Sequence, residues 1–184
     1  AQNGGLTSLN QTRLNFGAVE AEGYDLGALY QFEVMGIGVD LSMNATRQDQ
    51  LDLIEPSSPG EPPVVNPELG ERRRPEWASQ FGVGLSYGPY SLSWSGVYYD
   101  EMTLGYEDGG EIETIEQNYG GAGVADARLI QDIRGAWQAS DALTVYGGVS
   151  NLTNRQPYVS EFGYPVSPRG AYFFMGVTYN GAAR

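Results

Sequence analysis

Between residues 36 and 47 the chain alternates without exception. Ile37, Val39, Leu41, Met43 and Ala45 hold the odd positions, and Gly38, Asp40, Ser42, Asn44 and Thr46 the even ones. A period of two marks a strand with one apolar face. Residues 76–87 repeat the pattern, with Trp77, Phe81, Val83, Leu85 and Tyr87 on one side and Glu76, Ala78, Gln80, Gly82, Gly84 and Ser86 on the other; Ser79 is the one polar residue on the apolar side. In residues 90–98, Tyr90, Leu92, Trp94, Gly96 and Tyr98 alternate with Ser91, Ser93 and Ser95. Leu129, Ile133 and Trp137 alternate with Asp126, Arg128, Asp132 and Arg134. Two further strands are predicted over 143–152 and 169–179. An earlier one covers 16–32, with Tyr24, Leu26, Ala28, Tyr30 and Phe32 on one face and Asp25, Gly27 and Gln31 on the other. The pattern therefore predicts seven strands.

The connections between them alternate in length. Residues 33–35, 88–89 and 139–141 read as tight turns, whereas 48–75, 100–122 and 153–168 are long, polar and rich in Gly, Pro and acid. Short turns on one side and long loops on the other are the layout of a transmembrane β-barrel, apolar toward lipid and polar toward the lumen. A soluble antiparallel sandwich would alternate too. Against it, aromatic residues stand near the strand ends (Trp77, Tyr87, Tyr90, Tyr98, Trp137), as interfacial girdles require. The opposite face is also too small and too charged for a dry core.

With long loops outside, the last strand ends in the periplasm and the first begins outside. Single-chain bacterial barrels have an even strand count. Seven strands thus predict the C-terminal part of a larger barrel, with residues 1–13 as the end of an extracellular loop, 14–179 as barrel and 180–184 as a tail.

Composition narrows the chemistry. The 184 residues include no Cys and no His, which leaves no thiol nucleophile, no Ser-His-Asp triad, no disulfide and no His- or Cys-ligated zinc. An enzyme is not expected, and no catalytic residue, cofactor or metal is assigned. The 26 Gly and 13 Tyr suit pleated strands and tight turns better than long helices. All 10 cations are Arg, against 23 acids, for a net charge of −13, so nucleic acid is not an expected partner. No run approaches the roughly 18 consecutive apolar residues of a membrane helix, and residues 1–12 lack the regions of a signal peptide.

Several segments resemble one family. The run Asn15-Phe16-Gly17-Ala18-Val19-Glu20-Ala21-Glu22-Gly23-Tyr24-Asp25-Leu26 resembles the opening of a late barrel strand in TonB-dependent outer-membrane receptors, and Arg74-Pro75-Glu76-Trp77 is similar to their Arg-Pro strand opening. The most specific match is Val149-Ser150-Asn151-Leu152-Thr153-Asn154-Arg155-Gln156-Pro157-Tyr158, which resembles their Asn-Leu, Asn/Asp-Arg, Pro-Tyr motif. Tyr164-Pro165 and the stretch from Pro168 to Tyr179 look like the family's closing strand. The resemblance implies an all-β antiparallel transmembrane barrel of 22 strands, of which this chain holds about the last seven. It implies location in the outer membrane of a Gram-negative bacterium. It also implies import of a scarce solute such as siderophore-iron, cobalamin or a saccharide. The implied partners are the remainder of the barrel and the plug, on the same gene product or a second chain, TonB acting through the N-terminal part, and outer-membrane lipid and lipopolysaccharide. Two departures stand out: Tyr179 is followed by Asn180-Gly181-Ala182-Ala183-Arg184, where the family usually ends on an aromatic residue, and neither a plug nor a TonB box is present. The alternative is a self-contained small barrel of about eight strands with a structural or adhesive role, for which residues 110–119 are the spare strand.

Candidate contacts at a ligand mouth are Arg72, Arg73, Arg74, Asp100, Glu101, Tyr106, Asp108, Tyr119 and Tyr158. The three arginines could pair with an oxyanion. The segment 100–122 carries seven acids and no cation; it could hold Ca²⁺ through oxygen ligands, but it lacks EF-hand spacing and reads first as a solvated loop. Asp126, Arg128, Asp132 and Arg134 alternate in sign and read as a wall of paired charges facing the lumen or plug, rather than as a proton relay. Glu20, Glu22 and Asp25 are read the same way.

Overall fold

The computed structural model describes residues 17–58, 60–103, 117–118, 120–159 and 163–181. It is all-β and antiparallel. Strands β1 (Ala18–Val34), β2 (Ile37–Glu55), β4 (Trp77–Tyr87), β5 (Tyr90–Tyr99), β8 (Arg128–Ser140), β9 (Leu143–Ser150) and β10 (Tyr172–Tyr179) pair in that order as one up-and-down sheet. These are the seven strands that alternation predicts. Three short strands lie off that path: β3 (Val64–Pro67) pairs with β2, while β6 (Met102–Thr103) and β7 (Val124–Ala125) pair with each other.

Pairing register decides whether seven separate alternations become one surface, because a one-residue slip would turn a strand's apolar set to the other side. No such slip occurs over the shared rows. Phe32 lies opposite Val39, Val39 opposite Leu85 and Leu85 opposite Leu92, and on the far side Trp94 meets Ile133, Ile133 meets Val149 and Val149 meets Phe173. The other face is built of Asp40 with Gly84, Ser42 with Gly82, Gly82 with Ser95 and Ser93 with Arg134. The sheet thus has one apolar face and one of small and polar residues. Among the described residues neither is covered by a second layer: on the apolar face Phe173 is 83% exposed and Tyr30 63%, and on the other Leu29 is 72% exposed. An exposed apolar surface this large marks contact with lipid or another protein.

The tight turns are short because the chain can take left-handed backbone there. Met35 and Gly36 have φ of 52° and 76°, and Gly88 has 54° before Pro89, whose ring fixes its own φ. Strand ends step along the sheet. One register row runs through Gly38, Ser86, Ser91 and Ala136; β2 begins one residue below it at Ile37, whereas the β8–β9 hairpin closes at Ser140, four residues past Ala136. Such stagger is what tilted barrel strands require. The sheet remains open, with β1 and β10 as its edges.

Several expectations need correction. Residues 48–55 belong to β2, so the segment 48–75 opens as strand and includes β3. Pairing overrides the acidic content there, since Glu22 to Ala18 on β1 lie opposite Gln50 to Ile54. The first turn is Met35–Gly36 instead of 33–35, and the last strand begins at Tyr172 instead of Arg169. Phe16, the segment 1–13 and most of 110–119 lie outside the described residues.

Candidate functional site at the loop end

Among the described residues the buried apolar cluster lies at the loop end of the sheet: Met102, Ala125 and Tyr158, with Tyr164 packed against them. It forms because three connections converge. The β5–β8 connection supplies β6 and β7, the β3–β4 connection bends back so that Gly70 O accepts from Thr103 N at 2.8 Å, and the β9–β10 connection brings Tyr158, whose N donates to Tyr164 O at 3.0 Å.

The Asn-rich motif shapes this last loop, and its geometry explains the residue types. Asn151 has φ of 54°, a left-handed conformation that Asn tolerates better than most side chains. It is 3% exposed. Its Nδ2 donates to Arg155 O at 2.7 Å, its Oδ1 accepts from Arg155 N at 2.8 Å, and its backbone N donates to Asp132 Oδ1 at 2.7 Å. Asn154, at φ of 52°, accepts from Ala171 N at 2.9 Å and ties the loop to the start of β10. A Cβ at Gly170 would collide with that Asn154 side chain.

Tyr158, a candidate mouth residue, is 3% exposed and packs inside this cluster. Its hydroxyl donates to Asp126 O at 3.1 Å, and the Arg128 guanidinium lies 4.1 Å from its ring centre. Burial pushes its pKa up to about 12, against a smaller opposite pull from Arg128. The phenol is therefore neutral at ordinary pH and committed to a backbone carbonyl. Arg73, at φ of 65°, places its guanidinium 5.3 Å from the Tyr164 ring, and Tyr164 in turn meets Tyr99 and Tyr158 at 5.9 and 6.0 Å. Arg74 is paired with Glu68 at 2.9 Å and Glu71 at 3.7 Å; Arg72 is half-buried beside them. Asp100 Oδ1 accepts from Tyr98 at 3.1 Å and from Glu101 N at 3.0 Å, while Glu101 is exposed. Tyr106, Asp108 and Tyr119 lie outside the described residues, as do the acids from 107 to 116.

The structure thus brings Arg73 and Tyr158 into one aromatic and guanidinium cluster and adds Arg128, Tyr99 and Tyr164. Periodicity marked Arg128 only as one of an alternating row of charges and did not mark Tyr99 or Tyr164 at all, because the cluster is joined only where loops from distant parts of the chain meet.

The alternating charges on β8 are not arranged as ion pairs with one another among the described residues. Arg128 donates to Gln156 O and stacks on Tyr158, Asp132 accepts from Asn151 N, and Arg134 lies 4.8 Å from the Tyr146 ring centre. Each charge is met by backbone or ring because β5 and β9, on either side of β8, offer mainly Ser, Gly and Tyr there. Beside Arg134 the polar face holds a hollow of about 370 Å³ lined by Asp40, Gly84, Ser86, Ser91 and Ser93. Glu20 and Glu22 also depart from expectation. They share the Tyr24 face, the apolar side of the sheet, whereas Asp25 lies on the polar face and accepts from Thr46 Oγ1 at 2.6 Å.

No family model and no curated protein matches the chain. Two crystal structures of mutants of the ferric enterobactin receptor from Pseudomonas aeruginosa are similar to it. Each is 11% identical over 81% of this chain, with TM-scores of 0.41 and 0.42, and the match spans 29% and 30% of the receptor chains.

Proposed function

We propose that these residues form the C-terminal wall of the β-barrel of a TonB-dependent receptor in a Gram-negative outer membrane. In this reading the barrel imports a scarce solute past a plug, and the chain catalyses no reaction. The observation that carries the reading is the continuous apolar face across all seven strands, backed by a small polar face and bounded by two edges that are unpaired among the described residues. The motif from Val149 to Tyr158 adds the family resemblance. The apolar face meets lipid, and the polar face meets the lumen or plug. Loops at the end marked by Tyr158 form part of the outer mouth, where Arg72, Arg74, Asp100 and Glu101 stand nearer the surface than Tyr158.

The edges define the test. In hydrocarbon each unpaired N–H or C=O costs several kcal/mol. Six antiparallel steps separate β1 from β10, so both run the same way, and joining them would make a parallel seam foreign to such barrels. The membrane particle holding this chain should therefore contain further strands, about 15 if the whole is a 22-stranded transporter barrel, and a plug. Purification in mild detergent followed by identification of every polypeptide checks this. A monomeric, heat-modifiable, fully strand-paired particle of these 184 residues alone would overturn it.

A further inference from the structure

From the β1–β2 pair we infer where lipid contact ends: at a bulge at Asp49, above which the sheet stands in water. The inference rests on the membrane-wall reading and gives that wall its outer limit. Three observations meet at this level.

The first is length. β2 has 19 residues, or about 60 Å at roughly 3.3 Å per residue. The ten steps from Tyr24 to Val34 already give about 33 Å, which at a tilt near 40° spans the roughly 25 Å apolar band of such barrels. The remainder of β1 and β2 has no hydrocarbon left to cross.

The second is that polarity inverts. Gly23 pairs with Gln48 and Glu22 with Gln50, so Asp49 is an extra residue in β2. Below it Tyr24, Leu26, Ala28 and Tyr30 share a face with Arg47, Ala45, Met43 and Leu41. Above it the same face carries Glu22 opposite Gln50 and Glu20 opposite Asp52, while Ala21 with Leu51 and Val19 with Leu53 lie on the other side. Without the extra residue Leu51 and Leu53 would fall on the lipid side. A bulge changes which face a strand's alternation serves, and here it moves Leu51 and Leu53 off the lipid face where the carboxylates begin.

The third is local. Arg47 Nε donates to Asp49 Oδ1 at 2.6 Å, its guanidinium lies 5.4 Å from the Trp77 ring centre, and Gln48 N donates to Glu76 O at 2.9 Å. Trp77 is the first residue of β4, so the neighbouring strand starts at the same level. Tyr24, Arg47 and Trp77 make an amphipathic row on three adjacent strands, the composition of a membrane interface.

The chain has no Cys, so single introduced cysteines can carry a spin label, with the unsubstituted particle as blank. The purified particle is returned to vesicles of phosphatidylethanolamine and phosphatidylglycerol. Labels replacing Leu26, Leu41 and Met43 should be relaxed more by oxygen than by a water-soluble nickel chelate; labels replacing Glu20, Glu22, Gln50 and Asp52 should show the reverse. Lipid-type behaviour persisting through Glu22 to Glu20 and Asp52, or water-type behaviour already at Leu26, would overturn the boundary while leaving the membrane wall intact. Water-type behaviour at every position, Leu41 included, would instead overturn the membrane-wall reading on which the boundary rests.

Discussion

Asn151 shows how much one side chain can decide. It holds a left-handed backbone and makes two side-chain hydrogen bonds to Arg155 while nearly buried. Replacing it with Ala should cost about 3 kcal/mol, from lost hydrogen bonds and backbone strain. Asn151→Gly should cost about 1 kcal/mol less, because only the hydrogen bonds go. Denaturant unfolding of the purified particle would rank the two. Tyr158 predicts a pH effect whose sign follows from its raised pKa: the neutral phenol is favoured in the fold, so its contribution is complete below the ordinary value near 10 and fades as pH rises toward 12. Near-ultraviolet spectra should show the loop cluster loosening across that window. Tyr158→Phe should reduce that alkaline loss, and an unchanged profile in the variant would point to another tyrosine.

At the scale of the strand, the face a residue takes matters more than its type. Leu41 is on the apolar face and Ser42 on the polar one. Leu41→Arg should cost about 2 to 4 kcal/mol near mid-membrane, and Ser42→Arg distinctly less. Equal costs in lipid folding titrations would remove the lipid-facing assignment. Gln131 tests the rule from the other side, as a polar residue on the apolar face. Its Oε1 accepts from Trp94 Nε1 at 3.1 Å, so each of these two atoms has a partner that does not depend on water. Gly176 makes room for a neighbour, since a Cβ there would collide with the Tyr146 ring across the β9–β10 pair, and that ring carries Arg134. Gly176→Val should therefore disturb the last strand pair more than its half-buried position on an edge strand suggests, a change visible in the heat-modifiability of the barrel.

For the whole molecule, the prediction concerns sidedness. Long connections gather at one end of the sheet and tight turns at the other. In intact cells a membrane-impermeant thiol reagent should reach a cysteine introduced at Gly60 or Gly109 and miss one at Ser140. Labelling only at Ser140 would invert the orientation. The open sheet makes a second demand, since among the described residues it is exposed on both faces and along both edges and needs a cover, which in the proposed reading lipid, plug and further strands supply.

Alternation by itself determined the seven strands, their apolar faces and the long and short connections, because side chains on a pleated strand must alternate and a continuous medium rewards the same choice on every strand. The strand Trp77–Tyr87 was legible to within one residue, its alternation starting at Glu76. The upper half of β2 was not, since its apolar residues keep odd numbers through Leu51 and Leu53 while the bulge at Asp49 reverses their side. Only pairing with β1 shows that reversal. The loop cluster was equally hidden: Tyr158 stood out as a motif residue, yet its burial depends on Met102, Ala125 and Tyr164 meeting from separate connections. Periodicity is a local property set by each strand and its medium, whereas register and loop contact are set by residues far apart in the chain, and those only the tertiary structure decides.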